Sequence, residues 1–333
     1  MILTFLIIEL SKIFSEIKLA YKIVDGVANN TPIMRSRTLD ELVQAKGIYI
    51  KCENFQRTGS FKFRGAWNAI SLLSKNKRRI GVIAHSSGNH AQAVALAAKI
   101  LGVKAVIVMP ENTTEFKKRA TEHYGAEIVY CGNRPQDRAI MAKEIAEKEG
   151  YSLIHPHNDY GVIFGAGTVA YEIFREIRKL DLILAPVGGG GLISGTAIAA
   201  KGMHPNIQII GVEPKNADDA YLSFKSGKRV LVENPDTIAD GLRTSLGENT
   251  FPIIQKYVDD IITVSEEQII KSMVFYLERL KIVAEPSGAI SLAPLLFQLL
   301  DNKMTKNKRI GVILSGGNVD LVNFFYNFKE MQY

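Results

Sequence analysis

Cysteine is scarce in this chain. Cys52 and Cys131 are the only two among 333 residues, too few for a disulfide framework, and a reducing cytoplasmic setting is the default. Long hydrophobic runs are missing too. The opening stretch MILTFLIIEL is apolar, but it lacks the basic lead and small-residue cleavage site of a signal peptide. It reads as an N-terminal helix or an over-extended start, and no other stretch approaches a membrane span. A basic face is absent as well. The formal charge is +7, yet its lysines and arginines are scattered. The runs at 75–79 and 303–309 are placed in loops ahead of apolar segments, so no nucleic-acid surface is expected and the charge attracts small anions at most. No Pro/Gly/Ser-rich linker interrupts the chain.

What is present is alternation. The apolar runs IGVIAH (80–85), VKAVIVMP (103–110), AEIVYC (126–131), YSLIHP (151–156), DLILAPV (181–187), IQIIGVEP (207–214), DDIITVS (259–265) and RIGVILS (309–315) are each followed by an amphipathic or loop segment. The predicted helices include one over 161–178, one opened by a Ser265/Gln268 capping box, and one after the last strand. Continuous Val/Ile/Leu strands between helices predict an α/β protein of two domains, each with a largely parallel sheet flanked by helices. Four strands between 80 and 156 make one sheet. Strands from 181 onward make the other, completed by GIYIKCE (47–53), and the two meet along a ligand-binding cleft.

The stretch ENFQRTGSFKFRGA (53–66) poses a problem. Gly59-Ser60 reads as a helix cap, yet Lys62 and Arg64 follow in the first turn, where the dipole favours acids. Three further loops sit between strand and helix: Ser86-Ser87-Gly88-Asn89-His90, Gly188-Gly189-Gly190-Gly191 and Ser315-Gly316-Gly317-Asn318. KRRIGVIAHSSGNH and KNKRIGVILSGGNV are near-repeats, so both strands deliver a small polar loop to the same end of a sheet. Four glycines opening a helix offer bare N–H groups to a phosphate. The loop is neither a Rossmann fingerprint, since Ile193 or Ser194 takes the third glycine position, nor a P-loop, since no lysine precedes Thr196. A lysine at a helix start beside such a loop suggests pyridoxal 5′-phosphate, with the helix dipole depressing the amine pKa.

From about Asp25 onward the chain resembles fold type II pyridoxal-phosphate enzymes, specifically the threonine/serine dehydratase and serine racemase group. The motifs that carry this are TGSFKFRGA, SSGNHAQA, VGGGGLISG, EPKNADDA, TIADGL, EPSGA and SGGN. The resemblance implies that Lys62 is the Schiff-base lysine and base, with Phe61 against the cofactor ring. It implies that Asn89 bonds the 3-hydroxyl, that Gly188, Gly189, Gly190 and Gly191 cradle the phosphate, and that Ser315 faces the pyridine nitrogen. An uncharged hydroxyl there favours prompt loss of a β-hydroxyl over a long-lived carbanion. The loop Ser86, Ser87, Gly88, Asn89 and His90 is expected to receive the substrate carboxylate, with His90 chiefly a supporting residue. Ser87 stands where serine racemases place a second acid/base, and Arg138 where they keep a substrate-domain arginine. Glu213, Asp219 and the carbonyl of Ala217 match a divalent-cation site for Mg²⁺ or Ca²⁺.

The domains so implied are a large cofactor-binding unit, 1–79 plus 159–333, and a small substrate-loop unit, 80–158. A homodimer is expected. The expected reaction is deamination of L-threonine or L-serine to ammonia and a 2-oxo acid, with serine racemisation as the alternative. Cysteine-synthase-like replacement fits less well, because the asparagine loop ends in His90 rather than Thr-Gly. The regulatory domain of biosynthetic dehydratases is not expected. Ala166 departs from the usual glutamine, and His157 from the asparagine of mammalian-like racemases; both bear on substrate choice.

Overall fold

A computed structural model describes residues 9–113, 115–133, 137–232 and 235–320, with Phe116 described in its backbone only. The expected helix after the last strand and most of the apolar N-terminal stretch lie outside the described residues.

Among the described residues, ten strands form two sheets. The larger has the order β1-β2-β10-β7-β8-β9. It comprises β1 (Ile33–Met34), β2 (Gly47–Cys52), β7 (Leu182–Pro186), β8 (Gln208–Pro214), β9 (Asp260–Val264) and β10 (Arg309–Leu314). All neighbours run parallel except β1, which pairs antiparallel with β2. The smaller sheet, β5-β4-β3-β6, is wholly parallel. Its strands are β3 (Val82–His85), β4 (Ala105–Pro110), β5 (Glu127–Cys131) and β6 (Ser152–Leu153). The predicted pairing of 47–53 into the far sheet is therefore present: β2 lies beside β10.

Among the described residues the helices of six residues or more are α1 (Leu10–Val24), α2 (Arg37–Leu42), α3 (Lys62–Ser71), α4 (Lys75–Ile80), α5 (Asn89–Leu101), α6 (Glu115–His123), α7 (Asp137–Glu149), α8 (Tyr160–Glu176), α9 (Gly191–Met203), α10 (Asp219–Ser226), α11 (Thr250–Tyr257) and α12 (Glu266–Phe275). Gly102 ends α5 in the left-handed conformation, and Ser265 and Gln268 make a reciprocal capping box on α12. The basic run at 75–79 is a helix, not a loop, capped by Ser74 and carrying three cations toward its C-terminus, where the dipole favours them.

The stripe of α3 is buried as its spacing requires. Phe63, Ala66, Trp67, Ala69 and Ile70 pack with Val82, Ala84 and the alanine-rich face of α5, in the core of the small sheet. A boundary at 79/80 thus cuts across a continuous apolar cluster. Ser60 does not cap the helix. Phe61 is the N-cap residue, no side chain bonds the first turn, and the buried Ser60 hydroxyl has no partner. Ser60 is instead bridged to Gly316, which places the lysine turn against the loop after β10.

Candidate active site

Lys62, on the first turn of α3, faces a cleft of about 390 Å³ lined by residues from both sheets. That volume falls within the usual range for small-molecule sites. Phe61, Lys62, Ser86, Ser87, Gly88, Asn89, His90, Arg138, Gly188, Gly189, Gly190, Gly191 and Ser315 all line it. Residues spread over most of the chain converge because each loop sits at the carboxyl end of a parallel strand, or opens the helix after it.

The near-repeated loops belong to different sheets, Asn89 following β3 and Asn318 following β10. They meet at matched positions, with Asn318 Nδ2 donating to Asn89 Oδ1 at 2.8 Å. Asn318 Nδ2 also donates to Thr58 O at 2.6 Å, and Phe61 N to Ser315 O at 3.0 Å. Asn89 Nδ2 donates to Glu285 Oε1 at 2.7 Å, so the Asn89 amide is oriented from two sides.

The Lys62 ammonium donates to Pro156 O at 2.8 Å and lies 5.1 Å from the centroid of the Phe61 ring. Its pKa falls to about 8 because burial penalises the charge, with Glu285 acting in the opposite sense. Burial, not the dipole, is the main cause of that depression. Glu285 is pushed up to about 8, first by burial and then by Asp240. The motif EPSGA contains this acid, but its type and position alone gave it no role.

The glycine loop is built for an anion. Gly190 has φ +86° and caps α9, a conformation an L side chain rarely adopts. Among the described residues nothing accepts from the N–H groups of Gly188, Gly189 or Gly190, while Thr250 Oγ1 holds the Gly189 carbonyl at 2.8 Å. Unpaired donors at the positive end of a 13-residue helix suit a phosphate. Ser315 Oγ donates to Ser287 O at 3.3 Å and presents only an uncharged hydroxyl to the cleft.

Histidines cluster on the small-sheet side. The rings of His85 and His155 are 5.2 Å apart and those of His155 and His157 are 4.6 Å apart, all edge to face. Their positions at the ends of adjacent β3 and β6 were readable only once the strand order was known. His85 is lowered to about 4 by burial and by Arg138, and His155 to about 3 by burial and His85. Burial also drives His90 and His157 far down, so all four rings are neutral at pH 7. His90 Nε2 donates to Ile154 O at 2.8 Å, which places the ring in support of the loop.

Arg64 turns away from the cleft chemistry. It is fully buried, with Nε and Nη2 donating to Glu53 at 2.7 and 2.8 Å and Nη1 and Nη2 to Glu172 at 2.6 and 2.7 Å. Lys51 completes the cluster by pairing with Glu172 at 2.8 Å. The second cation of the lysine turn is thus balanced by buried carboxylates from β2's end and from α8, partners more than a hundred positions away in one case.

A family model for pyridoxal-phosphate dependent enzymes matches residues 24–316. The chain belongs to this family. It is 46% identical over 318 residues to serine racemase of Schizosaccharomyces pombe, covering 95% of this chain and 97% of that protein. It is 48% identical over 297 residues to L-threo-3-hydroxyaspartate ammonia-lyase of Saccharomyces cerevisiae, covering 89% and 90%. The solved structure of maize serine racemase gives a TM-score of 0.90 at 41% identity, covering 95% of this chain and 97% of that one. The fold type II assignment holds, and the chain is a pyridoxal-phosphate enzyme.

The cation expected at Glu213, Ala217 and Asp219 lies off the cleft. Glu213, on β8, accepts from Ala220 N at 3.0 Å and Tyr221 N at 2.8 Å, tying the strand to the start of α10. Burial and the neighbouring Asp219 push Glu213 up to about 9, burial lifts Asp219 to about 6, and Asp219 Oδ2 is buried without a partner. Two adjacent buried carboxylates with an orphaned oxygen form a hard-oxygen site compatible with a divalent ion. Among the described residues no group of three or more His, Cys, Asp or Glu could hold a metal, so carbonyls and water would have to complete the shell.

Proposed function

We propose that the chain is a lyase that removes the β-hydroxyl and amino group of L-threonine or L-serine, releasing a 2-oxo acid and ammonia. One observation carries this: a buried amine of depressed pKa, Lys62, faces an anion loop and a serine-rich carboxylate loop across one cleft. Pyridoxal 5′-phosphate, when bound, supplies the electron sink that makes an amino acid's Cα–H acidic. Lys62 would hold the cofactor covalently and then take the Cα proton. Asn89, held by Asn318 and Glu285, would bond the 3-hydroxyl, and Phe61 would support the ring. Gly188, Gly189, Gly190 and Gly191 would hold the phosphate, and Ser315 would face the ring nitrogen. Ser86, Ser87, Gly88, Asn89 and His90 form the carboxylate loop. The product enamine, aminoacrylate or aminocrotonate, hydrolyses after release.

A second reading rests on Ser87. Racemisation needs a proton carrier on each face of the substrate, and Ser87 supplies a hydroxyl on the small-sheet wall while Lys62 projects from α3. Arg138, which faces the same cleft and is shifted downward by burial, is suited to a substrate with a second carboxylate, such as a hydroxyaspartate. The deciding experiment offers L-serine, L-threonine and hydroxyaspartate to the wild type and to Ser87→Ala, assaying oxo acid and chirality together. Oxo acid as the main product from wild type supports the lyase. D-serine formation that vanishes in Ser87→Ala with elimination intact establishes the racemase. No turnover of any of these by the cofactor-loaded protein would overturn both.

We extend the proposal to the surroundings. The units 1–79 plus 159–333 and 80–158 close over substrate to exclude water, with α3 shared between their cores. A Mg²⁺ or Ca²⁺ ion at Glu213, Asp219 and the Ala217 carbonyl serves structure or regulation. A homodimer in the cytoplasm fits the resemblance and the two free buried cysteines, and sedimentation and fractionation test these two points. Among the described residues no helix is long and apolar enough to cross a membrane.

A further inference from the structure

The motif IFGAGT (163–168) has no place in the chemistry above, although every residue of it is buried. α8, which carries it, is sandwiched between α3 and α9, and both crossings are made by glycine. A methyl group built on Gly165 would come within 2.5 Å of Arg64 O and 2.7 Å of Gly65 Cα, both on α3. One built on Gly167 would collide with Ile17 Cδ1 of α1 and come within 2.7 Å of Gly195 O and 3.0 Å of Gly195 C, on α9. The contacts are mutual. A methyl on Gly65 would meet Val162 O at 2.8 Å, and one on Gly195 would meet Gly167 N at 2.5 Å. On both sides of α8, therefore, backbone atoms stand too close for a methyl group, whatever the neighbouring side chains of Ile17 and Val162 yield.

Each crossing lies one turn from an anchor of the cofactor. Gly65 follows Lys62 by three residues on α3, and Gly195 follows Gly191 by four on α9. On the first crossing the Arg64–Glu172 fork, with bonds of 2.6 and 2.7 Å, fastens α3 to α8 again. Ala166, between the two glycines, is 1% exposed and packs with Val169 and Ile193.

We propose that α8 acts as a spacer. Gly165, Gly167 and the Glu172–Arg64 fork fix the distance between the Lys62 turn and the phosphate loop, and so match the site to a cofactor held at both ends. This rests on the reading of Lys62 and the glycine loop given above. Ordinary van der Waals contact needs about 3.5–4 Å. A methyl at either glycine finds at least one backbone atom roughly 1 Å too close, so the helices must part by about that amount. Misplacement of this size in a preorganised site costs up to about a hundredfold.

The test compares pyridoxal 5′-phosphate, anchored at aldehyde and phosphate, with pyridoxal, which lacks the phosphate. Affinity of the cofactor-free protein for each is read by visible absorbance in wild type, Gly165→Ala, Gly167→Ala and Glu172→Gln. Circular dichroism and a melting curve confirm folding. The expected result is that the preference for the phosphorylated form over pyridoxal falls tenfold or more in the glycine variants and several-fold in Glu172→Gln. A fold lesion alone would weaken both ligands together. An unchanged preference in the folded variants overturns the proposal. Should both glycine variants fail to fold, an unchanged preference in Glu172→Gln does so alone. Borohydride reduction of the loaded wild type followed by peptide mass spectrometry separates the two levels. If no adduct forms on Lys62, the underlying site reading fails. If the adduct forms and the preference does not move, only the spacer fails.

Discussion

The charge state of Lys62 can be tested in the cofactor-free protein, away from turnover. An ordinary lysine amine has a pKa near 10.5, and burial brings this one to about 8. At pH 7 about 10% of an amine with pKa 8 is neutral, against about 0.03% at 10.5, a gain of about three hundredfold in nucleophile. Glu285, itself raised to about 8, ionises over the same pH range as Lys62 and in that form favours the ammonium. Glu285→Gln keeps an oxygen to accept from Asn89 while removing the charge, so the Lys62 pKa should fall further. The assay is competitive acetylation across pH 6–11, with the Lys62 peptide quantified by mass spectrometry against surface lysines such as Lys143. Wild-type Lys62 should reach half-maximal labelling near pH 8, and Lys62 of Glu285→Gln below the wild-type midpoint. The sign is set by the free amine: labelling rises as pH passes upward through the pKa. A wild-type midpoint near 10, or an upward move in Glu285→Gln, would refute the reasoning.

Other outcomes follow from the same contacts. Arg64→Met should lower unfolding free energy in urea by about 3–5 kcal/mol, because Glu53 and Glu172 lose their shared fork while remaining buried. Arg64→Lys should recover only part, since one ammonium cannot serve both carboxylates bidentately. Arg138→Leu should raise KM for hydroxyaspartate more than for serine, by about tenfold if the guanidinium holds the second carboxylate; equal changes would exclude that role. Mg²⁺ should raise the melting temperature of wild type and leave that of Asp219→Ala unmoved, whereas equal shifts would place the ion elsewhere.

Much of this is legible in the sequence alone, for a physical reason. Strands buried on both faces must be continuously apolar, so β3, β4, β7, β8 and β10 announced themselves, and Gly102 and Ser265 marked helix ends by backbone and capping chemistry. The loops were legible because glycine runs and a lysine at a helix start have few structural uses. What escaped depends on three-dimensional neighbours. β1 has two residues, too few for a periodic signal. α4 looked like a charged loop because nothing on it is buried. Ser60 looked like a cap, but the β10 loop claims that segment first. Arg64 found its partners at Glu53 and Glu172, and Glu285 gained its role from Asn89; none of these pairings is written in local spacing.

The pairing of β2 with β10 joins Lys51 to Ile313 and Cys52 to Leu314. The strand leading to the reactive lysine thus finds its neighbour more than 250 positions later, and β10 also supplies Ser315 and the Asn318 latch. On the ribosome the earlier units can acquire secondary structure as they emerge, yet the strand before the lysine waits for residues 309–314. The vitamin pocket is accordingly a late event in biosynthesis, and a nascent chain stalled before residue 309 should not acquire the yellow colour of the holoenzyme.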